Sequence, residues 1–498
     1  MLEGIACSWN GKGGLDALIR SVRSDSRKVQ PGDLFVAVPG SHVDGHRFIE
    51  QALQSGAKAI VSERFDRKVQ ESGLPQFVVS DSRLALSRLT ASSYDFPAEK
   101  LNLIGITGTN GKSTTAFLIQ HLLNQASKAG LIGTILCDDG NSKEQADYMT
   151  PGPEFLNEMM ARMVANGLRY CVMEVSSHAL DQERVRELAF SSVVFTNLTQ
   201  DHLDYHGNFE LYYQAKRKLF FGPEAPRHSI INEDDPYGVR LKRELGTLKS
   251  AVSYGLEKGD FVGHVTKVDW TGVEFKLKHG ANRWVVSAPL LLQHNVYNLT
   301  AALVTLHQEG FNLTEMIPSL LHFPGVSGRM ERIDEGQNFR VFVDYAHTPD
   351  GLLNVLRAVG TLPKRRVITV FGCGGDRDRT KRPVMGEIAG RESDLAILTS
   401  DNPRTEDPEL ILDEVETGFR STSSRAELIR EPDRKEAIRR AIELAQEGDV
   451  LLIFGKGHED YQILGTKRLP FSDQEVVRHW LKEKCLRSGK SQRFAVER

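Results

Sequence analysis

The stretch LNLIGITGTNGKSTTAFLIQHLLNQA, residues 101–126, decides the fold. LNLIGIT is an apolar run of strand length, the word GTNGKST follows at once, and KSTTAFLIQHLLNQA has the composition of a helix. Strand, glycine loop and helix together form the setting in which backbone N–H groups and the positive end of a helix hold a phosphate. Gly108, Thr109, Asn110, Gly111, Lys112, Ser113 and Thr114 are therefore read as a phosphate loop that binds a nucleotide. Lys112 would reach the terminal phosphates as a point charge, and Ser113 or Thr114 would offer a hydroxyl to magnesium. The spacing departs from the general GxxxxGK[ST] form, because Ile106 stands five residues before Gly111.

Downstream of this loop, strands alternate with helices. RYCVMEV at 169–175 and FSSVVFTN at 190–197 continue the series, which predicts a parallel sheet with right-handed crossovers. Residues 250–290 alternate polar and apolar positions and predict an antiparallel β subregion within the same domain. Upstream, DLFVAV at 33–38, KAIVS at 58–62 and QFVVS at 76–80 read as short strands of a small α/β domain that ends near residue 98. After FPGVSGRMER at 323–332 a third series begins, with strands VFVDYA, VITVFG, LAILTS and DVLLIFG, each running into a polar or glycine-rich loop. Ligands of open parallel sheets collect outside the carboxyl ends of the strands, so these four loops are candidate site elements. The expected fold is α/β in three domains: an N-terminal α/β domain over 1–98, a central P-loop parallel-sheet domain over 99–328, and a C-terminal Rossmann-like domain over 329–498.

Composition agrees with a multidomain globular chain. At 498 residues it exceeds what one hydrophobic core usually supports, and 40% hydrophobic with 26% charged residues allows packed cores. Lys and Arg number 63 against 66 Asp and Glu, a net charge of −3, which leaves no global footprint for nucleic acid or an anionic membrane. Cys7, Cys137, Cys171, Cys373 and Cys485 form no CxxC pair, which argues against a disulfide framework or a zinc ribbon. The start MLEGIACSWNGKGG has no signal-peptide pattern and no apolar run approaches about 18 residues, so a cytoplasmic protein without membrane insertion is expected.

Two features lie near the loop in the predicted sheet. Glu174 closes its strand, where a carboxylate can reach magnesium directly or through water. FSSVVFTN runs on into Asp201, His202, Leu203, Asp204, Tyr205 and His206. Alone, these would be a solvated strand end and a polar surface loop; beside a phosphate loop they become candidate metal ligands.

At this point GTNGKST, MEVSSHAL and TNLTQDHLDYHG together resemble the Mur ligase family of ATP-dependent amide ligases in peptidoglycan synthesis. The resemblance continues through HNVYN at 294–298, GRME at 328–331, DYAHTPD at 344–350, GCGGDRDRTKRP at 372–383, DNPRTEDP at 401–408 and GKGHEDYQ at 455–462. As a set the words look like the member that adds the third amino acid to UDP-MurNAc-L-Ala-D-Glu. The resemblance implies attack of the D-glutamate γ-carboxylate on the γ-phosphate of ATP, an acyl phosphate, and capture by an incoming amine. It implies Mg2+ held by Ser113, Glu174, His202 and Lys216, with Lys216 carbamylated, and Lys112 among the catalytic groups. It places Asn295 and Asn298 on the adenine side and Arg329, Asp344 and Tyr345 at the interdomain nucleotide site. Ser26 with the turn Ser41, His42 and Val43 would meet the UDP group, making the N-terminal domain the UDP-substrate domain, while Thr150, Ser176, Gln182 and Arg184 would hold the MurNAc dipeptide. Met149 stands where members often show a second threonine, Leu292 where a glycine is common, and Ser327 where a proline is common.

For a member that adds the third residue, the resemblance leaves a choice between meso-diaminopimelate and lysine. Arg404 favours diaminopimelate, because a guanidinium forms a bidentate pair with its extra carboxylate and repels a bare ammonium. Arg377, Asp401, Asn402, Pro403, Gly455 and Glu459 match the other positions that hold the amino acid, with Glu459 suited to an ammonium. The split of phosphate and amino-acid words across domains implies closure of the C-terminal domain over the acyl phosphate. A monomer with small-molecule substrates and no nucleic acid is expected. The competing readings are a folylpolyglutamate synthetase, which would not need the first hundred residues, and an ATP-binding scaffold without turnover, which would be expected to have lost one of Lys112, Glu174, His202 and Lys216.

Overall fold

Three sheets, each with its own apolar cores, organise the chain. The computed structural model describes residues 7–10, 18–40, 43–145, 148–222, 225–246, 251–422 and 425–487. In the first sheet Leu34–Val36, Ala59–Ser62 and Gln76–Val79 pair in parallel, as their apolar runs predict. Two strands that were not predicted flank them, Val22–Arg23 in parallel and Cys7–Asn10 antiparallel.

The central sheet has eleven strands, and Asn102–Thr107 lies between Tyr170–Glu174 and Phe190–Phe195, parallel to both. Ile104 and Ile106 of this strand pack into one core with the helices Lys112–Leu123 and His294–Gln308, whereas Leu103 joins the opposite core. Burial on both faces explains why the run reads as continuously apolar rather than alternating. The region 250–290 is partly a correction. Ala251–Gly255 pairs in parallel with His228–Asn232, and only Phe261–Asp269, Gly272–His279 and Asn282–Ala288 are mutually antiparallel, all within the same sheet. Its alternation reflects one buried and one exposed face on those three strands, with Phe275 and Leu277 fully buried and Lys276 and Lys278 exposed.

The third sheet holds the four expected strands Arg340–Asp344, Val367–Phe371, Leu395–Leu398 and Val450–Phe454 in parallel, with Glu427–Arg430 and the antiparallel Glu331–Ile333 at its edges. A separate hairpin, Tyr461–Leu464 with Lys467–Pro470, was not predicted. Near both expected domain boundaries non-glycine residues adopt positive φ: Asp95 at 57° and Phe96 at 47° ahead of residue 98, and Met330 at 46° just after residue 328. Among the departures from the family pattern, Leu292 has φ 72°. The strain of about 1–2 kcal/mol is offset by roughly 1.5–3 kcal/mol from burying its side chain completely against Met330 and Phe342. Ser327, in place of proline, donates its hydroxyl to Glu331 at 3.0 Å beside the Gly328 amide.

The turn at Trp270, between two of the antiparallel strands, reaches across to the third domain. Its indole N–H donates to Pro363 O at 2.7 Å, its ring stacks on Phe342 at 5.8 Å, and the Arg340 guanidinium lies over it at 4.7 Å. Among the described residues no helix is long and apolar enough to cross a membrane.

Candidate active site

The strand Asn102–Thr107 ends at Thr107 and the helix begins at Lys112, so residues 108–111 must turn the chain while leaving the first amides of the helix without intrahelical partners. The next strand fixes that turn. Asn197 O accepts from Thr109 N at 2.9 Å, Asn197 Oδ1 accepts from Asn110 N at 2.9 Å, and Thr196 Oγ1 and Asn197 Nδ2 donate to Asn110 O at 2.7 and 3.1 Å. Gly111 has φ 86°, and a Cβ there would stand 2.4 Å from Asn298 Oδ1. Asn298 in turn donates to Asn295 Oδ1 at 2.8 Å, and both side chains are buried on their helix. The pair assigned to the adenine side thus supports the loop from behind.

Lys112 Nζ donates to Gly108 O at 3.0 Å and Thr109 O at 2.8 Å, and Lys216 Nζ donates to the same Gly108 O at 2.7 Å. Burial lowers the pKa of Lys112, and burial followed by the Lys112 charge pushes that of Lys216 well below its ordinary value. Lys112, with the Lys216 amine beside it on the same carbonyl, stands at the mouth of the loop, where its ammonium suits an anion.

Glu174, fully buried at its strand end, accepts from Ser113 Oγ at 2.8 Å, Thr134 N at 2.9 Å and Thr134 Oγ1 at 3.2 Å. A buried carboxylate against a loop hydroxyl fits a hard cation that keeps most of its water. Among the described residues no three His, Cys, Asp or Glu gather into a metal cage. Ser113, Glu174 and His202 line one cavity, while His202 and Lys216 both lie near the Tyr212 ring, at 6.3 Å between ring centroids and 4.5 Å from Nζ. His202 sits at φ 53° with Nε2 3.4 Å from Asp201 Oδ2, and burial lowers its pKa to about 4 despite that carboxylate, so its ring is neutral near pH 7.

Thr150, Ser176, Gln182 and Arg184 also come together. Thr150 Oγ1 accepts from Ser176 N and donates to Glu174 O, both at 2.9 Å. Arg184 donates to Thr150 O and to Gln182 Oε1, both at 2.7 Å, and its guanidinium lies over the exposed Tyr148 ring. The N-terminal domain meets this cluster where Ser24 N and Oγ donate to Glu154 at 3.0 and 2.5 Å. Ser26 is buried, and its hydroxyl is engaged by Gln51 at 2.8 Å, while Val43 is exposed. Ser41 and His42 lie outside the described residues.

A cavity of about 450 Å³ runs from the phosphate loop to the third domain and is lined by Lys112, Glu174, His202, Asn298, Arg329 and Tyr345 among others. Asp344 holds its loop through Met330 N at 2.7 Å and Ala346 N at 2.8 Å, and Arg329 lies over the Tyr345 ring at 4.7 Å with its Nε buried and unpartnered. Asp201, a candidate metal ligand, lines this cavity, and so do His347 and Asp350, which were not predicted as site residues. His347 Nδ1 lies 2.8 Å from Tyr345 O; a carbonyl only accepts, so Nδ1 carries the hydrogen and Nε2 keeps its lone pair. Asn110 Nδ2 donates to Asp350 at 3.2 Å, a direct bond between phosphate loop and third domain.

The loops after the third sheet's strands assemble a second polar cluster. Arg404, at φ 54°, is fixed by its backbone to the hairpin, accepting from Gly465 N at 2.7 Å and donating to Ile463 O at 3.1 Å. Its Nη1 donates to Gly375 O at 2.7 Å and Asn402 O at 3.4 Å, and among the described residues Nε and Nη2 make no hydrogen bond. That leaves one two-donor edge of the guanidinium for a carboxylate. Arg377 lies exposed nearby, bonded to Asp376 O, and its charge lowers the Arg404 pKa after the larger effect of burial. Glu459 Oε2 accepts from Asn402 Nδ2 at 2.9 Å and Lys456 Nζ at 3.1 Å. Pro403 continues the Asp401 and Asn402 turn, and Gly455 at φ 112° packs against the Asp401 carboxylate. Lys456, between Gly455 and Gly457, was not predicted as a site residue, and nothing local in the sequence marks it as buried.

A phosphate loop opening on a cavity shared with the loops of a second, Rossmann-like sheet defines a three-domain P-loop protein that brings nucleotide phosphates towards a second polar site. Family descriptions match accordingly: the Mur ligase family catalytic domain over residues 18–94, the Mur ligase middle domain over 106–306, and the Mur ligase glutamate ligase domain over 328–457. The chain is 44% identical over 484 residues to the UDP-N-acetylmuramoyl-L-alanyl-D-glutamate--2,6-diaminopimelate ligase of Geobacillus thermodenitrificans, covering 96% of this chain and 97% of that one. The protein of the same description from Gloeobacter violaceus is 44% identical over 471 residues, covering 94% and 95%. A solved structure so described superposes with a TM-score of 0.66 at 32% identity, covering 94% of this chain and 95% of that one. A Mycobacterium tuberculosis folylpolyglutamate synthase is alike in fold alone, with a TM-score of 0.62 at 16% identity over 75% of this chain and 92% of that one. The chain belongs to the Mur ligase family.

Proposed function

We propose that this chain is an ATP-dependent amide ligase that joins meso-2,6-diaminopimelate to the D-glutamate γ-carboxylate of UDP-MurNAc-L-Ala-D-Glu, in cytoplasmic synthesis of a peptidoglycan precursor. The observation that carries this reading is the open two-donor edge of Arg404, in a loop cluster beyond the cavity that starts at the phosphate loop. Lys112 and the first helix amides hold the ATP phosphates. Ser113 with Glu174, and His202 with a carbamylated Lys216, would hold Mg2+, which supplies neutralisation of phosphate charge. Lys216 is suited to that modification because its lowered pKa favours the free amine, which adds to CO2 with loss of a proton. Thr150, Ser176, Gln182 and Arg184 hold the dipeptide beside Glu174, with Ser26, Ser41, His42 and Val43 on the UDP side, and Asn295, Asn298, Arg329, Asp344 and Tyr345 around the nucleotide.

A γ-carboxylate oxygen attacks the γ-phosphorus and ADP leaves, giving an acyl phosphate. The amine of diaminopimelate then attacks the acyl carbon, phosphate departs, and His347 Nε2 takes the amine proton. Arg404 and Arg377 take the distal carboxylate and Glu459 the ammonium, along the turns of Asp401, Asn402, Pro403 and Gly455. Positioning and charge neutralisation supply most of the rate in such transfers. The test is phosphate release with ATP, Mg2+ and UDP-MurNAc-L-Ala-D-Glu, comparing meso-diaminopimelate with L-lysine and weighing the product. Tripeptide with diaminopimelate, far in excess of the slow turnover with lysine, is expected; turnover with lysine equal or faster, or with neither, overturns the proposal.

A further inference from the structure

Lys456 is fully buried, in a chain where most lysines are exposed. A buried ammonium is tolerated only when paired, and its partners here are all side chains of the amino-acid loops. Nζ donates to Asn402 Oδ1 and Glu459 Oε2, both at 3.1 Å, and lies 4.0 Å from Asp401 Oδ1. The local sequence drives it inward. Gly455 at φ 112° and Gly457 at φ 53° turn the chain on either side, and a Cβ on them would stand 2.6 Å from Asp401 Oδ2 and from Tyr345 Cβ. No other residue type would let both turns close so tightly around the lysine.

Two consequences follow from this placement. Lys456 and Asn402 both engage Oε2 of Glu459, and among the described residues Oε1 accepts no hydrogen bond, so the carboxylate is held by one oxygen and offers the other. Burial raises the pKa of Glu459 and the Lys456 charge opposes that, so the lysine helps to keep the carboxylate ionised. The charge balance is the second consequence. Apart from the exposed Arg377, Asp401 and Glu459 carry two negative charges against two positive ones on Lys456 and Arg404, so these four groups are neutral together. A neutral set suits a zwitterionic head carrying both ammonium and carboxylate; a bare ammonium brings an unbalanced charge.

We infer that Lys456 is a positioning and specificity-determining residue for the amino-acid substrate, aiming Glu459 and balancing the site's charge so that a zwitterionic diamino acid is taken in preference to lysine. The inference rests on the ligase reading above. Without its charge the set carries one net negative charge, which favours L-lysine relative to diaminopimelate.

The experiment compares wild type, Lys456→Met, Glu459→Gln and the double variant, measuring kcat/KM for meso-diaminopimelate and L-lysine and KM for ATP. Lys456→Met should lower the ratio of kcat/KM for diaminopimelate over lysine by about tenfold or more, the equivalent of one lost charge interaction, with KM for ATP within about twofold. In the Glu459→Gln background the same change should have a much smaller effect on that ratio, because its partner is already gone. An unchanged ratio, or the same loss in both backgrounds, overturns the inference and marks Lys456 as a structural ion alone. Should the methionine variant melt below the assay temperature, Lys456→Gln, which can still hydrogen-bond but carries no charge, serves as the same test. Wild type making tripeptide with diaminopimelate while the variants keep its ratio defeats only this inference; wild type making none overturns the ligase reading and this inference with it.

Discussion

The phosphate loop and the amino-acid cluster face one problem, holding a charged group, and are built in opposite ways. The loop is seven consecutive residues whose anion-facing groups are largely backbone amides, aligned by a strand, a helix and the side chain of Asn197. The amino-acid cluster draws single side chains from three loops, each held from behind: Glu459 by Lys456, and Arg404 by the hairpin backbone. Arg382, fully buried, adds a further tie by pairing with Glu406 at 2.8 Å and Glu414 at 2.9 Å, which fixes the loop after Arg404 to the adjoining helices. A site made of backbone is sensitive chiefly to its glycines and its one lysine, whereas a site made of side chains is only as exact in its aim as the residues that support it.

The largest expected effect breaks the loop. Lys112→Ala should lower phosphate release about 10³-fold, as loss of a charge that stabilises the transferring phosphoryl group does, while affinity for diaminopimelate hardly changes. Retained turnover would remove Lys112 from the machinery. Next comes the other side of the comparison: Arg404→Ala should cut kcat/KM for diaminopimelate about 10²-fold and leave KM for ATP within about twofold, with Arg404→Lys recovering little because an ammonium cannot reproduce the two-donor edge. An equal loss with lysine as acceptor would count against the carboxylate assignment. Gly111→Ala sharpens the contrast, since the added Cβ meets Asn298 Oδ1 at a positive φ. We expect a loss of about 1–2 kcal/mol in stability by chemical unfolding, together with a raised KM for ATP. Smallest is a pH effect on stability. His178, His202 and His206 are held near pKa 4 by burial, below the unfolded value of 6.5, so the folded state binds fewer protons than the unfolded one between those values. Stability of the metal-free protein should therefore hold above pH 6.5 and decline as pH falls towards 4; a melting temperature unchanged across that window would contradict it.

The same contrast explains what could be read in advance. The strand, loop and helix at 102–123 were legible because local sequence encodes all three, and four of the six strands of the third sheet were legible because buried parallel strands are continuous apolar runs. Val22–Arg23 and Glu331–Ile333 were not, since edge strands of two or three residues carry no period to detect. Glu174, Arg404 and Glu459 could be named from their words, but the contact of Tyr212 and Lys216 with the loop could not, because it depends on how the helix Phe209–Arg217 packs beneath the loop. Lys456 escaped for the reverse reason: a lysine beside glycines reads as solvated until tertiary structure closes over it.

The indole of Trp270 has one further consequence. It is the tryptophan whose ring environment is supplied by a neighbouring domain, through Phe342, Arg340 and Pro363, whereas Trp284 and Trp480 pack against cores of their own domains. Its emission is therefore an internal optical gauge: a shift in its colour or quenching on adding ligands would register the spacing between the second and third domains without any attached dye.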